Sequence, residues 1–255
     1  MKIAIIGRGS AGRRHEQLFK DLGLDVSAYD TDQTKTDAAS LEEALVGVSG
    51  IVVATPPGHR PPLLRELAKR GLPMLVEKPL AMESLGAEFL LDGPPILMGY
   101  VWRHCPFAQE FIRLTWPAEG TIHIRYGEHP SLRPKPSWLG EVASIWEYSH
   151  AMDFLLQIMP DFRIFKTRTR WEWTNLEATN GRSTVKLRTD FVSNPAQVWM
   201  AGGGHIWTPT RERLLAAYEA QTKHFVDVMT GGVPIVSAVE GLRVVRLTER
   251  CISWV

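Results

Sequence analysis

Over the first hundred residues, short apolar runs alternate with amphipathic stretches. Lys2–Ile6 is an apolar run that stops at Gly7. The spacing then predicts a helix from about Ala11 to Leu22, closed by Gly23, a residue suited to the turn that follows a helix. Leu24–Tyr29, Gly50–Ala54 and Pro73–Val76 read as further strands, with helices around Leu41–Val46 and Pro61–Arg70 between them. Ser40 and Glu43 have the spacing of a capping box for the shorter helix. Strands separated by helices of this length predict a parallel, doubly wound sheet, whose ligands lie beyond the C-terminal strand ends.

The pattern changes near residue 100. Thr121–Tyr126, Arg163–Thr169, Trp171–Thr174, Ser183–Phe191 and Gln197–Met200 read as strands, and Asn180-Gly181 is a hairpin turn. A helix is expected from about Val142 to Met159. Composition sharpens this break, because all nine tryptophans lie between Trp102 and Trp254. Gly99 and Pro106 punctuate the same stretch. The expected organisation is an α/β domain over 1–100 and an α+β domain over 101–255.

Charge and composition then narrow the function classes. With 29 Lys+Arg against 28 Asp+Glu the chain is nearly neutral, which gives no support to nucleic-acid binding. Two cysteines are too few for a disulfide scaffold or a cysteine-built metal site, and no metal is expected. No apolar run approaches a membrane span, so no membrane partner is expected. The N-terminus reads straight into a strand without a signal peptide's cleavage region, and a cytoplasmic location is the expectation.

The chemistry begins with Gly7-Arg8-Gly9-Ser10-Ala11-Gly12, placed between a strand and a helix. In that context the glycines serve a tight turn (Gly7), backbone approach to a pyrophosphate (Gly9) and close helix–strand packing (Gly12). Ser10 and Ala11 bring helix N-terminal amides to the phosphates. Asp30, 18 residues after Gly12, stands where a carboxylate would accept ribose hydroxyls. It would repel a 2′-phosphate, so NAD is favoured, while nearby Arg8, Arg13 and Arg14 keep NADP as the alternative. Two more segments end strands at the same sheet edge. Thr55-Pro56-Pro57-Gly58-His59 contributes Thr55, Pro56 and His59 as cofactor contacts, and Glu77-Lys78-Pro79 contributes Glu77 and Lys78. A lysine beside apolar walls and a cationic nicotinamide would transfer a proton more easily near neutral pH. In the second domain Glu147 and His150 share one helix face, an arrangement in which a carboxylate fixes an imidazole as general base.

Read together, Gly-x-Gly-x-x-Gly-Arg13-Arg14-His15, Ala54-Thr55-Pro56-Pro57 with His59, and Glu77-Lys78-Pro79 resemble the glucose–fructose oxidoreductase/inositol dehydrogenase/rhizopine-catabolism (Gfo/Idh/MocA) family. Gly99–Arg103 and Ser149-His150-Ala151-Met152-Asp153 extend the resemblance, the latter as a Ser-His-x-x-Asp form of the active-site helix. The resemblance implies an NAD(P)-dependent oxidoreductase acting on a sugar, sugar acid, sugar nucleotide or cyclitol. It also implies a second domain with an open, mainly antiparallel sheet backed by helices. Lys78 would polarise the reacting oxygen and His150, supported by Glu147, would exchange its proton. Expected substrate contacts are Tyr100, Arg103, Arg133, Tyr148 and Asp153, with internal pairing or capping as the alternative for Asp153.

The chain departs from the family in carrying one glycine in Leu139–Ser144 where a triplet is common, in Glu147 where Asp is usual, and in a short second domain. Two rival readings follow. One is a dinucleotide-binding sensor without turnover. The other is an enzyme that retains NAD through a net non-redox change. Trp171 and Trp173 project from one strand face, which suggests homo-oligomerisation through the C-terminal sheet, with core packing against the domain's own helices as the alternative.

Overall fold

The computed structural model describes residues 1–115, 119–127, 146, 149–170, 172–191 and 197–252. The chain begins β1 (Lys2–Ile6), α1 (Ser10–Asp21), β2 (Asp25–Tyr29), α2 (Leu41–Ala44), β3 (Gly50–Val53), α3 (Arg60–Ala68), β4 (Met74–Val76) and β5 (Ile96–Met98). It continues with α4 (Pro106–Thr115), β6 (Gly120–Gly127), α5 (Ser149–Ile158), β7 (Arg163–Arg170), β8 (Trp173–Thr179), β9 (Ser183–Asp190), β10 (Gln197–Gly202) and β11 (His205–Trp207). Helices α6 (Arg211–Met229) and α7 (Ala238–Ile252) follow.

These elements form two compact units, one made of 1–101 with 215–242, the other of 102–214 with 243–255. The first holds a five-stranded sheet in the order β2-β1-β3-β4-β5, every pair parallel. Strands β3, β4 and β5 are apolar and buried throughout, and β1 is so from Ile3 to Ile6, because both faces of the sheet are covered there. Ile3, Ile5, Val52, Leu75 and Leu97 form one buried cluster with Phe19, Phe225 and Val228. The capping box forms in modified shape: Ser40 Oγ accepts from the Glu43 amide at 3.2 Å, while Glu43 Oε2 accepts from the Ala39 amide at 2.7 Å.

The contiguous division at residue 100 needs correction here. Residues 215–242 belong to the first unit because α6 supplies part of its core. Phe19 and Phe225 meet edge to face at 6.0 Å, and a Cβ on Gly50 would lie 2.3 Å from Met229 Sδ. The Met98 amide of edge strand β5 donates to Val236 O at 2.9 Å, so the same segment closes that edge.

The second unit holds a six-stranded sheet in the order β11-β10-β6-β9-β8-β7. Only the β6–β9 pair is parallel, so the sheet is mainly antiparallel. The Asn180-Gly181 turn joins β8 to β9, with Asn180 Oδ1 accepting from the Arg182 and Ser183 amides at 3.0 and 2.9 Å. Strand β8 runs to Thr179, five residues beyond the expected end, because its alternation of buried and half-buried positions persists to the turn. On the inner face Trp207 packs edge to face on Trp102 (5.0 Å) and Phe154 (5.6 Å). Trp171 lies outside the described residues; Trp173 shares the outer face with Asn175 and Glu177, and the Arg188 guanidinium lies 5.9 Å from its ring centre. A depression of about 660 Å³ there is lined by Arg125, Lys166, Arg168, Lys186 and Arg188 alongside Glu177 and Trp199.

Candidate functional site

The end of β1 runs directly into a loop shaped for close approach. Gly7 has φ +91, and a Cβ there would sit 2.8 Å from the backbone of Ala54 and Thr55. A Cβ on Gly12 would lie 1.9 Å from Gly7 O, whereas one on Gly9 would meet nothing within 4 Å. Two of the glycines are therefore demanded by packing, and the third leaves space open. Gly9 is the N-cap of α1, with no side-chain cap and no acidic residue in the first turn. The first helical bond is Arg13 N–H to Gly9 O at 3.0 Å. The amides of Ser10, Ala11 and Gly12 thus start the helix without an intrahelical acceptor. Unsatisfied N–H groups beside open backbone fit an anionic pyrophosphate.

Asp30 borders this loop and also braces it. Its Oδ2 accepts from the Arg8 amide at 2.6 Å and its Oδ1 from the Asp32 amide at 2.9 Å. A polar cleft of about 380 Å³ nearby is lined by Arg8, Arg13, Glu16, Gln17, Thr34 and Lys35. Two of its cations are already matched. Arg8 forks onto Glu16 at 2.7 and 2.8 Å and reaches Asp37 at 2.6 Å, while Lys35 pairs with Asp32 at 2.6 Å. Those bonds hold the Arg8 guanidinium above its ordinary pKa and the Glu16 carboxyl below its own. The arginine signal for a 2′-phosphate is weakened accordingly.

The loops after β3 and β4 are joined by a residue that sequence reasoning missed. Arg60, the first residue of α3, is 3% exposed. Its Nε donates to Thr55 O at 2.8 Å, and Nη2 donates to the same oxygen. Nη1 donates to both Glu77 O and Pro79 O. A signal for it existed, since a cation at a helix N-terminus opposes the macrodipole and needs another reason to be there. The expected contact beside it, His59, is exposed, as is Pro56; Thr55 is half-buried, with its Oγ1 buried and unpartnered.

Glu77 is 7% exposed and bonded on both oxygens. Oε1 lies 2.8 Å from His15 Nε2 and 3.5 Å from Arg14 Nη2, and Oε2 accepts from the Lys78 amide at 3.2 Å. Burial pushes this carboxyl upward, but the His15 hydrogen bond and the charges of His15, Arg14 and Lys78 outweigh it and hold the group far below the usual carboxylate range. Glu77 thus orients Lys78 through its backbone. His15 was unassigned from sequence, although a histidine on the buried stripe of an amphipathic helix was visible there. Tyr218 packs edge to face on its ring at 6.5 Å and takes the Arg14 guanidinium over its own ring at 4.0 Å. Tyr100, expected at the substrate, is fully buried.

In the second unit His150 lies on α5, 8% exposed and stacked on Tyr126 at 6.1 Å. Glu147, Tyr148 and Arg133 fall outside the described residues. Asp153 is committed elsewhere: it is 1% exposed, takes Arg103 Nε at 3.1 and 3.0 Å and Nη2 at 2.8 Å, and accepts from Gln157 Nε2 at 2.9 Å. Arg103 and Asp153, expected at the substrate with internal pairing as the alternative for Asp153, form a buried ion pair that ties α5 to the segment before α4. Among the described residues no cluster of His, Cys, Asp and Glu could hold a metal, and no helix is long and apolar enough to cross a membrane.

No protein-family model matches the sequence, and no curated protein matches it. Solved structures do share the fold. A dehydrogenase (MviM) from Clostridium difficile superposes with a TM-score of 0.80 at 17% identity, covering 100% of this chain and 99% of its own. GenD2 from gentamicin A biosynthesis, solved with NAD, gives 0.83 at 17%, covering 99% and 94%. The WlbA (WbpB) dehydrogenase from Thermus thermophilus, solved with NAD and UDP-GlcNAcA, gives 0.73 at 16%, covering 97% and 93%. The fold is therefore shared with these structures over nearly their whole length.

Proposed function

We propose that this chain is an NAD-dependent oxidoreductase acting on a CH–OH or C=O group of a sugar, sugar acid, sugar nucleotide or cyclitol. The observation that carries the reading is the glycine loop, whose open Gly9 position and unsatisfied helix amides match a dinucleotide pyrophosphate. Gly7, Gly9, Ser10, Ala11 and Gly12 would hold the pyrophosphate, Asp30 the ribose, and Thr55 and Glu77 the loops beside the nicotinamide. The matched charges on Arg8 and Lys35 favour NAD over NADP. The shared fold of dehydrogenases solved with NAD, one of them with a nucleotide sugar, supports the same reading.

Bound NAD supplies a hydride acceptor. In the oxidising direction the substrate carbon gives up its hydride, the hydroxyl gives up its proton, and a C=O bond forms. Lys78 hydrogen-bonds the reacting oxygen and stabilises charge developing on it. His150 takes the hydroxyl proton at its imidazole. Self-association through the open face of the second sheet belongs to this reading, although like charge on that face opposes it.

The test is a fluorescence titration with NADH and NADPH, followed by an NADH-coupled screen of sugars, sugar acids, nucleotide sugars and cyclitols. Binding of NADH in preference to NADPH, and reduction of NAD by at least one substrate class, is expected. A chain that binds neither dinucleotide overturns the reading. Tight NADH binding without turnover of any class points to the sensor instead.

A further inference from the structure

Arg60 is a buried cation with no carboxylate in its hydrogen-bond set. Burial lowers its pKa to about 10, opposed by the charge of Glu77 and by Tyr100, so it remains a guanidinium at neutral pH. Removing such a charge from water costs several kcal/mol unless its donors are met. Here they are met by three backbone carbonyls, those of Thr55, Glu77 and Pro79. Thr55 stands just after β3, and the other two bracket Lys78 just after β4.

The consequence is a lysine whose backbone is gripped from three directions. The carbonyl before Lys78 is held by Arg60 Nη1, and so is the Pro79 carbonyl beyond it. The Lys78 amide is held by Glu77 Oε2, and that carboxylate is anchored in turn on His15 of α1. Arg60 also spans to the Thr55 loop, so one side chain ties the two loops together. A planar fork with five N–H donors reaches all three carbonyls; a lysine, a single point charge, does not. We propose that Arg60 is the positioning residue for Lys78, fixing it against the Thr55 loop without touching substrate or cofactor. This rests on the reading that Lys78 takes part in the reaction.

The test uses the full chain with Arg60→Lys and Arg60→Met, and reads two quantities. Hydrogen exchange without any ligand reports the clamp itself. Amides of 55–59 and 77–81 are expected to exchange faster in both variants, with those of β1 and β2 unchanged. Kinetics report the consequence. A misplacement on the order of 1 Å costs about 10²-fold in rate, so kcat is expected to fall by about that factor in Arg60→Lys while the Kd for NADH holds. Should Arg60→Met fail to fold, Arg60→Lys carries the comparison, since it keeps the charge. Unchanged exchange in either loop overturns the proposal. So does a loss confined to NADH affinity, with kcat intact. If the wild type turns over no substrate, the functional reading fails while the exchange measurement still decides whether Arg60 joins the loops.

Discussion

Glu77 and His15, 62 residues apart in sequence, meet at 2.8 Å inside the first unit. The bond joins the helix that follows the glycine loop to the loop that carries Lys78. Two buried side chains thus tie the element proposed to bind phosphate to the one proposed to carry the chemistry.

The pair sets an acid-side stability limit. The folded Glu77 carboxyl is held below its ordinary 4.5, so its contribution is fully present above pH 4.5 and is lost as pH falls below that value. Glu77→Gln is expected to be less stable than wild type by about 3–5 kcal/mol at neutral pH. The gap should narrow as pH drops through the acid range. Urea unfolding at a series of pH values measures it, and a gap independent of pH would refute the assignment.

The glycine loop separates folding from binding. Gly12→Ala places a Cβ against Gly7 O, a backbone atom that cannot step aside, and should cost about 1–3 kcal/mol or more. Gly9→Ala meets no neighbour and should leave stability within about 0.5 kcal/mol of wild type. Its NADH affinity is nevertheless expected to fall by about tenfold, or about 1.4 kcal/mol. Thermal unfolding and NADH titration of the two variants make the comparison.

Lys78→Met and His150→Ala should each bind NADH as wild type does and lose about 10²–10⁴-fold in turnover, the range for general acid–base assistance. Full turnover in both variants would remove these residues from the reaction.

Asp153→Asn separates the two roles open to that carboxylate, internal pairing and substrate contact. Breaking the buried pair with Arg103 should destabilise the chain by about 3–5 kcal/mol. Replacing both partners with apolar residues should recover part of the loss. A variant as stable as wild type but with a raised substrate KM would restore Asp153 to the substrate site.

The outer face of the second sheet gathers five cations against Glu177 and the buried Asp190, which pairs with Arg125 and Arg188. Two such faces repel at low ionic strength and are screened at high. Self-association through this face is therefore expected to strengthen with salt. Sedimentation across a salt series reads it, and a monomer throughout removes the expectation.

What was legible in the sequence was local. Gly7-Arg8-Gly9-Ser10-Ala11-Gly12 announces its turn because glycine is required at known offsets, and Asn180-Gly181 announces a hairpin for the same reason. Alternation placed β9 to within a residue at its end, and the 3.6-residue period placed α1. Contacts between distant segments were not legible. Nothing near Arg60 says that its fork will reach Glu77 and Pro79, because those partners are set by the spacing of β3 and β4 in the finished sheet. Asp153 was ambiguous for a related reason: its partner Arg103 lies 50 residues away. The membership of α6 was hidden likewise, since Phe225 looks the same in sequence whichever unit it packs against.

That last feature bears on the order in which the chain matures as it is made. A ribosome delivers Lys2–Ile6 before the rest of its cluster, and Phe225 and Val228, which share that cluster with Ile3 and Ile5, emerge more than two hundred residues later. Nascent domains ordinarily fold in the order of synthesis. Here the first unit begins before the second and is completed only after residues 102–214 of the second have been made. Until α6 arrives, the part of that cluster covered by Phe225 and Val228 stays exposed beside Phe19 of α1, and a chain cut anywhere before residue 215 carries that exposed patch permanently.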